Sequence, residues 1–393
     1  SVSKGVATAT FGKERIGFRV PSLFVVQAEE RLAAPVPNFG AKVTEPGNGI
    51  STSSPVVPAF VPNSALLALS SEDEGAIAAV AASTERIVPM LQVWLGTEPL
   101  SALTVIDHAG QPFEDGPLLV APLASLGTSD AGTALTHSLM HAYVQTGQPW
   151  MDEGLAQFGA LLWTEHELGR DAGTAALEEL LQPLAIAEPN VTKETPADAA
   201  IGQPLIAASS EIFYRRKAAA VWSMLREIVG DEALADALTT FRQRVPKDAD
   251  TPTSVALGFE HTIERAGKKN ALNPIDLHWF FRDWVLRDRG LPDLSIVDVA
   301  PRELPMRQGR SAGYLVAVTI RNDGGAEAEV PVTLHTSGGN VIQSQVRIAA
   351  FSTATSRTVT ETPPTEVQVN DGMTPEQRTS VHKLMVKAVR AAQ

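Results

Sequence analysis

The feature that most limits how this chain can fold is the change of hydrophobic period at Pro292. Residues three or four apart share a helix face and residues two apart share a strand face, so two patterns mean two kinds of layer. From Ser71 the helical spacing rules. Ser71-Glu72-Asp73-Glu74 starts a helix with acids at its positive dipole end, and Ile77, Val80, Ile87, Val88 and Leu91 form its apolar face until Gly96. Leu103-Thr104-Val105-Ile106 reads as a strand, and Leu118-Leu119-Val120-Ala121 as a second apolar run of strand length. Further helices are expected from Asp130 to about Gln145, from Trp150 to Gly169, from Ser209 and Ser210 to Gly230, from Asp231, and from Asn273-Pro274 to Gly290.

Beyond Pro292 the period is two. Val316, Val318 and Ile320 alternate with Leu315, Ala317 and Thr319, and the turns Asn322-Asp323-Gly324-Gly325 and Ser337-Gly338-Gly339-Asn340 separate the runs. This spacing predicts a small β-sandwich over 293–370. Thr374, Pro375 and Gln377 form a capping box, which predicts a closing helix over 371–393. Residues 1–70 read as β-rich, with short strands around 16–20 and 23–26. The expected class is α+β: a mostly helical body over 71–292, between that β-rich segment and the sandwich.

Composition narrows the chemistry. At 393 residues the chain exceeds one ordinary core, and 45 acidic against 32 basic residues give a formal charge of -13. No basic block is present, which argues against a nucleic-acid partner and against an anionic membrane surface. No apolar run approaches the ~20 residues of a membrane span. With no cysteine, histidines and carboxylates are left as the strong metal ligands.

One stretch carries chemistry of that kind. His137 and His141, in Thr136-His137-Ser138-Leu139-Met140-His141, lie one helical turn apart on one face, a spacing at which both imidazoles reach one Zn²⁺. Glu153, in Pro149-Trp150-Met151-Asp152-Glu153-Gly154-Leu155-Ala156, begins the next helix, and a turn through Gly147 and Pro149 aims its carboxylate back at the histidines. Three protein ligands make an open, catalytic type of site. Asp152 is read as a solvated helix-start charge, with proton acceptor as the less favoured alternative. Glu165-His166-Glu167 and His261 with Glu264 are read as surface groups.

On these residues the region 72–290 resembles the thermolysin-like catalytic domain of the aminopeptidase-N-like gluzincins, which carry His-Glu-x-x-His and, on a second helix, Asn-Glu-Gly-Phe-Ala. The resemblance implies a zinc metallopeptidase fold with His137, His141 and Glu153 as zinc ligands and a peptide or protein in the cleft. Phe213-Tyr214-Arg215-Arg216-Lys217 is similar to the family's Tyr-x-Lys-Gly helix, which would make Tyr214 the group that binds the oxyanion. The sandwich matches the small β-domain that follows in the family, and residues 1–26 are expected to be the last strands of a domain before it. An exported bacterial setting is the family-level expectation.

The sequence departs from the family in three ways. The glutamate that acts there as general base is Ser138, whose hydroxyl is not ionised near pH 7. The family's Gly-Ala-Met-Glu-Asn strand is matched to 116–120, so Gly116, Leu118 and Leu119 would contact substrate, with Leu119 and Val120 in place of the amine-binding acid and its neighbour. The segment between His141 and Glu153 is also shorter than the family's usual one. Together these predict a degenerate peptidase that keeps zinc and has weak or no peptide hydrolysis, the alternative being an active zinc hydrolase with a non-standard base.

Overall fold

Local pattern becomes architecture at α1 (Glu74–Leu95), the longest helix among the described residues. The computed structural model describes residues 2–3, 6–7, 66–71, 73–196, 199, 201–244, 251–268, 275–305, 313–378 and 381–386. Most of the β-rich segment over 1–70, including 16–26, and the Asn273-Pro274 cap lie outside the described residues. Of that segment, β1 (Val2–Ser3) and β2 (Val6–Ala7) pair with each other, and β3 (Leu67–Ser70) enters the main body. The α1 cap is Asp73, whose carboxylate accepts the Ala76 N–H, rather than Ser71. Ser71 instead hydrogen-bonds Asp107 at the end of β4 (Leu103–Asp107), tying the helix start to the sheet.

That sheet carries one side of the site. It is completed by β5 (Phe113–Asp115) and β6 (Leu118–Ala121) in the order β3-β4-β6-β5; the first three strands are parallel and β5 is an antiparallel edge. Gly116, at φ +55°, makes the tight turn from β5 to β6 that an L side chain would strain. The helices follow: α2 (Leu123–Leu126), α3 (Gly132–Tyr143), α4 (Pro149–Leu168), α5 (Arg170–Leu181) and α6 (Leu184–Ala187). A π-helical turn, Ile212–Lys217, runs directly into α7 (Ala218–Val229), and α8 (Asp231–Arg242) and α9 (Pro252–Lys268) come next. The last helix, α10 (His278–Phe281), passes into a second π turn, Arg282–Leu286. By length and composition α1 could cross a membrane, but Val80, Ile87, Leu91 and Leu95 pack in the centre of the helical core.

One ion cluster is sealed inside this body. The Lys217 ammonium, at the end of the first π turn, lies 2.6 Å from Glu188 Oε1 and 3.1 Å from Asp288 Oδ1, all three side chains fully buried. Burial pushes the Glu188 carboxyl up from 4.5 to about 7, against the attraction of Lys217 and with help from the charge of Asp288.

The chain then builds two facing sheets around a second core. One joins β7 (Leu294–Leu304), β8 (Gly313–Asn322) and β11 (Thr353–Thr360); the other joins β9 (Ala328–Thr336), β10 (Val341–Ile348), β12 (Pro364–Val369) and β13 (His382–Met385). Val316, Val318 and Ile320 from one sheet meet Val330, Val332, Leu334 and Val367 from the other. Glu327 links the two bodies: its carboxylate pairs with Arg282 and Arg347, and its carbonyl accepts the Trp284 Nε1–H at 2.8 Å.

The closing helix expected over 371–393 is replaced by irregular chain and β13, antiparallel to β12; residues 387–393 lie outside the described residues. The capping-box pattern loses because the Gln377 backbone and the intervening Glu376 side chain have tertiary partners. Glu376 accepts the Leu294 N–H and an Asn370 side-chain N–H and pairs with His382, while the Gln377 N–H goes to the Pro292 carbonyl.

Candidate metal centre

α3 is buried almost throughout, and its two histidines project together: the His137 and His141 rings are 5.4 Å apart, edge to face. A five-residue connection turns α4 back along α3. Asp152 holds that connection, accepting the Thr146 N–H and hydroxyl on Oδ1 and the Gly147 N–H on Oδ2. The solvated role expected for Asp152 is therefore corrected: the side chain is buried because it satisfies turn donors that water does not reach.

The turn brings Glu153 to the histidines. Its Oε2 lies 3.6 Å from His137 Nε2 and its Oε1 3.8 Å from His141 Nε2. A second carboxylate arrives from the sheet edge: Glu114 Oε2 is 3.5 Å from the same His137 Nε2. Glu114, His137 and His141 each offer one ligand atom, all within 4.8 Å of one another. Zinc bonds of about 2.0 Å in a tetrahedron require ligand atoms roughly 3.3 Å apart. The three His–carboxylate separations, 3.5, 3.6 and 3.8 Å, lie near that requirement, within a set whose upper bound is 4.8 Å. His137 Nε2 and Glu114 Oε1 are buried without a hydrogen-bond partner, which is costly unless something else satisfies them. The donor set fits Zn²⁺.

A cation of the chain's own also enters. Arg215, on the π turn before α7, donates to Glu153 Oε2 from Nη2 at 2.8 Å and from Nε at 3.3 Å, while its Nη1 binds Glu211 at 2.9 Å. The approach depends on Gly154, where a Cβ would lie 2.5 Å from the Ala218 Cβ. Burial alone would raise the Glu153 carboxyl, but the adjacent His137, the charge of His141 and the hydrogen bonds and charge of Arg215 hold it well below the ordinary range.

No family model matches the chain. No curated protein matches it either. Among solved structures it is similar to Legionella pneumophila aminopeptidase A, crystallised in complex with aspartic acid, with TM-score 0.48 and 14% identity, covering 76% of this chain and 34% of that one. The chain spans about a third of that protein's length, and a likeness this low says nothing about activity.

The other residues singled out from sequence are placed as follows. Ser138 is buried on α3 beside His137. Tyr214 is half-buried and packs against the helical core, and its neighbour Arg215 hydrogen-bonds Glu153. Gly116 sits in the turn, Leu118 starts β6, and Leu119 and Val120 are buried on β6. Leu119 stands directly across from Glu114 in the antiparallel pair, so both point to the same face of the sheet. The acid on this hairpin that reaches the histidines is thus Glu114, which sequence reasoning missed. The Asp115-Gly116-Pro117 turn after Phe113-Glu114 was the available signal. Glu165 and Glu167 pair with Arg226 and Arg86, and His261 is exposed.

Proposed function

We propose that this chain is a zinc-metallopeptidase-fold protein whose His/His/carboxylate centre binds Zn²⁺ and whose peptide hydrolysis is weak or absent. The observation that carries the reading is the convergence of His137, His141 and two carboxylates around a buried, unpartnered His137 Nε2. Bound there, Zn²⁺ would supply a Lewis acid able to polarise a peptide carbonyl. The chain's own residues argue for low turnover. Ser138 cannot accept a proton where the resembled family uses glutamate, a group whose general-base work is worth about 10²–10⁴-fold. Arg215 places a fixed guanidinium on Glu153 beside the histidines. A peptide or protein segment in the cleft is the proposed partner, and an exported bacterial setting belongs to the same proposal.

An active zinc hydrolase with a non-standard base is the second reading. It is favoured by the presence of two carboxylates at the centre, one more than a three-ligand site uses. The assay that separates the two takes wild type, His137→Ala and Ser138→Glu on aminoacyl and endopeptide substrates, with zinc content measured alongside. About one zinc per chain, little wild-type turnover and a gain in Ser138→Glu are expected. Strong wild-type turnover that disappears in His137→Ala would overturn the degenerate reading in favour of the second. Less than about a tenth of a zinc per chain after gentle purification would sink both.

A further inference from the structure

The centre holds two carboxylates, and they are not equivalent. Glu153 is occupied: Arg215 gives its Oε2 two N–H donors, at 2.8 and 3.3 Å, and is itself braced by Glu211. Drawing Glu153 into a metal bond would set a dication beside that guanidinium, with like charges repelling in a partly buried, weakly screened place. Glu114 receives no hydrogen bond from Arg215, although its charge also acts on that guanidinium. Its Oε1 is buried without a hydrogen bond, its Oε2 lies 3.5 Å from the equally unpartnered His137 Nε2, and it forms with His137 and His141 a set within 4.8 Å. The strand is also well anchored. Glu114 is paired in register with Leu119, which is buried in the helical core, so the carboxylate is presented from the sheet rather than from a loop.

We propose that the carboxylate ligand of the metal is Glu114, from the edge strand β5, and that Glu153 is a neighbouring carboxylate neutralised by Arg215 without a metal bond. The proposal rests on the metal-centre reading above and deepens it. Two consequences follow for that reading. The ligand set joins the sheet edge to α3 directly, and α4 contributes charge and packing but no metal bond. The strand-edge acid is committed to the metal, which leaves it unable to receive the free amine of a peptide.

The test is a zinc titration of the full chain by competition with a chromophoric chelator, on wild type, Glu114→Gln, Glu153→Gln and His137→Ala. Far-UV circular dichroism of each metal-free variant checks folding. Glu114→Gln is expected to weaken zinc by more than about 100-fold, as His137→Ala does, and Glu153→Gln by about 10-fold, the loss typical of a group beside the metal shell. A folded Glu114→Gln that binds zinc like wild type would overturn the proposal, and so would equal large losses in both glutamate variants, which would mean four protein ligands. If Glu153→Gln does not fold, the Glu114→Gln arm decides alone. Failure of wild type to bind zinc defeats the metal-centre reading itself, and is told apart because it appears before any variant is compared.

Discussion

A carboxylate in the first turn of a helix ordinarily faces water and interacts with the dipole for a few tenths of a kcal/mol. Asp152 has a different task, because three donors of the α3–α4 connection end on it. Nothing in Trp150-Met151-Asp152-Glu153 marks the difference, since the donors lie in the preceding turn and are bent toward it only once the helices pack. Asp152→Ala is expected to lower stability by about 2–3 kcal/mol, measured by denaturant unfolding at constant m-value. A loss under about 0.5 kcal/mol would return Asp152 to the solvated role. The histidine pair was readable for the opposite reason: both ligands sit on one helix, where spacing alone sets their relation. Glu114 could not be found that way. Its strand has three residues, too few for a period, and its partners are on other elements.

At the scale of elements, long periodic helices and the alternating strands of 315–348 were legible because one face of each is buried. The tail was misread because Glu376 and Gln377 have partners far away in sequence, and local capping chemistry yields to such contacts. The Lys217 cluster was equally invisible, since it joins the π turn, the end of α6 and the segment after the second π turn. Burial first, and then the charge of Asp288 that one ammonium cannot fully offset, favour the protonated form of Glu188. With Glu188 at about 7 when folded against an ordinary 4.5, the folded chain holds a proton that the unfolded chain has lost throughout that interval. Stability therefore falls as pH rises from about 4.5 to about 7, by about 1–3 kcal/mol from this group. Glu188→Gln should flatten that part of a stability–pH profile. An unchanged slope would show that Glu188 is ionised across the range.

For the whole molecule, the two cores are separate clusters, joined through polar links such as Glu327 with Arg282 and Arg347. The proposed metal ligands all belong to the helical body. Zinc at about 100 times its dissociation constant adds about 2.7 kcal/mol to whatever unfolds with the site. Scanning calorimetry is expected to resolve two transitions, of which zinc raises the one belonging to the helical body and leaves the sandwich in place. Equal upward shifts of both, or a single transition, would mean that the Glu327 contacts couple the bodies into one cooperative unit.

The π turn at 212–217 makes the identity of the side chain facing Glu153 a matter of counting. A π turn carries one residue more than the α turn it replaces, and each residue swings the helix face by about 100°. Measured back from α7, Arg215 occupies the slot that points at Glu153, and Tyr214 precedes it by one residue. Deleting Arg216 closes the bulge to an α turn and advances the tyrosine into that slot. In such a chain a phenol would replace the guanidinium at Glu153, and tyrosine absorbance or fluorescence should respond to zinc more strongly than the parent's does. No stronger response would mean that the helix absorbs the deletion elsewhere. A single codon would then separate a centre lined by a fixed positive charge from one lined by a neutral hydroxyl.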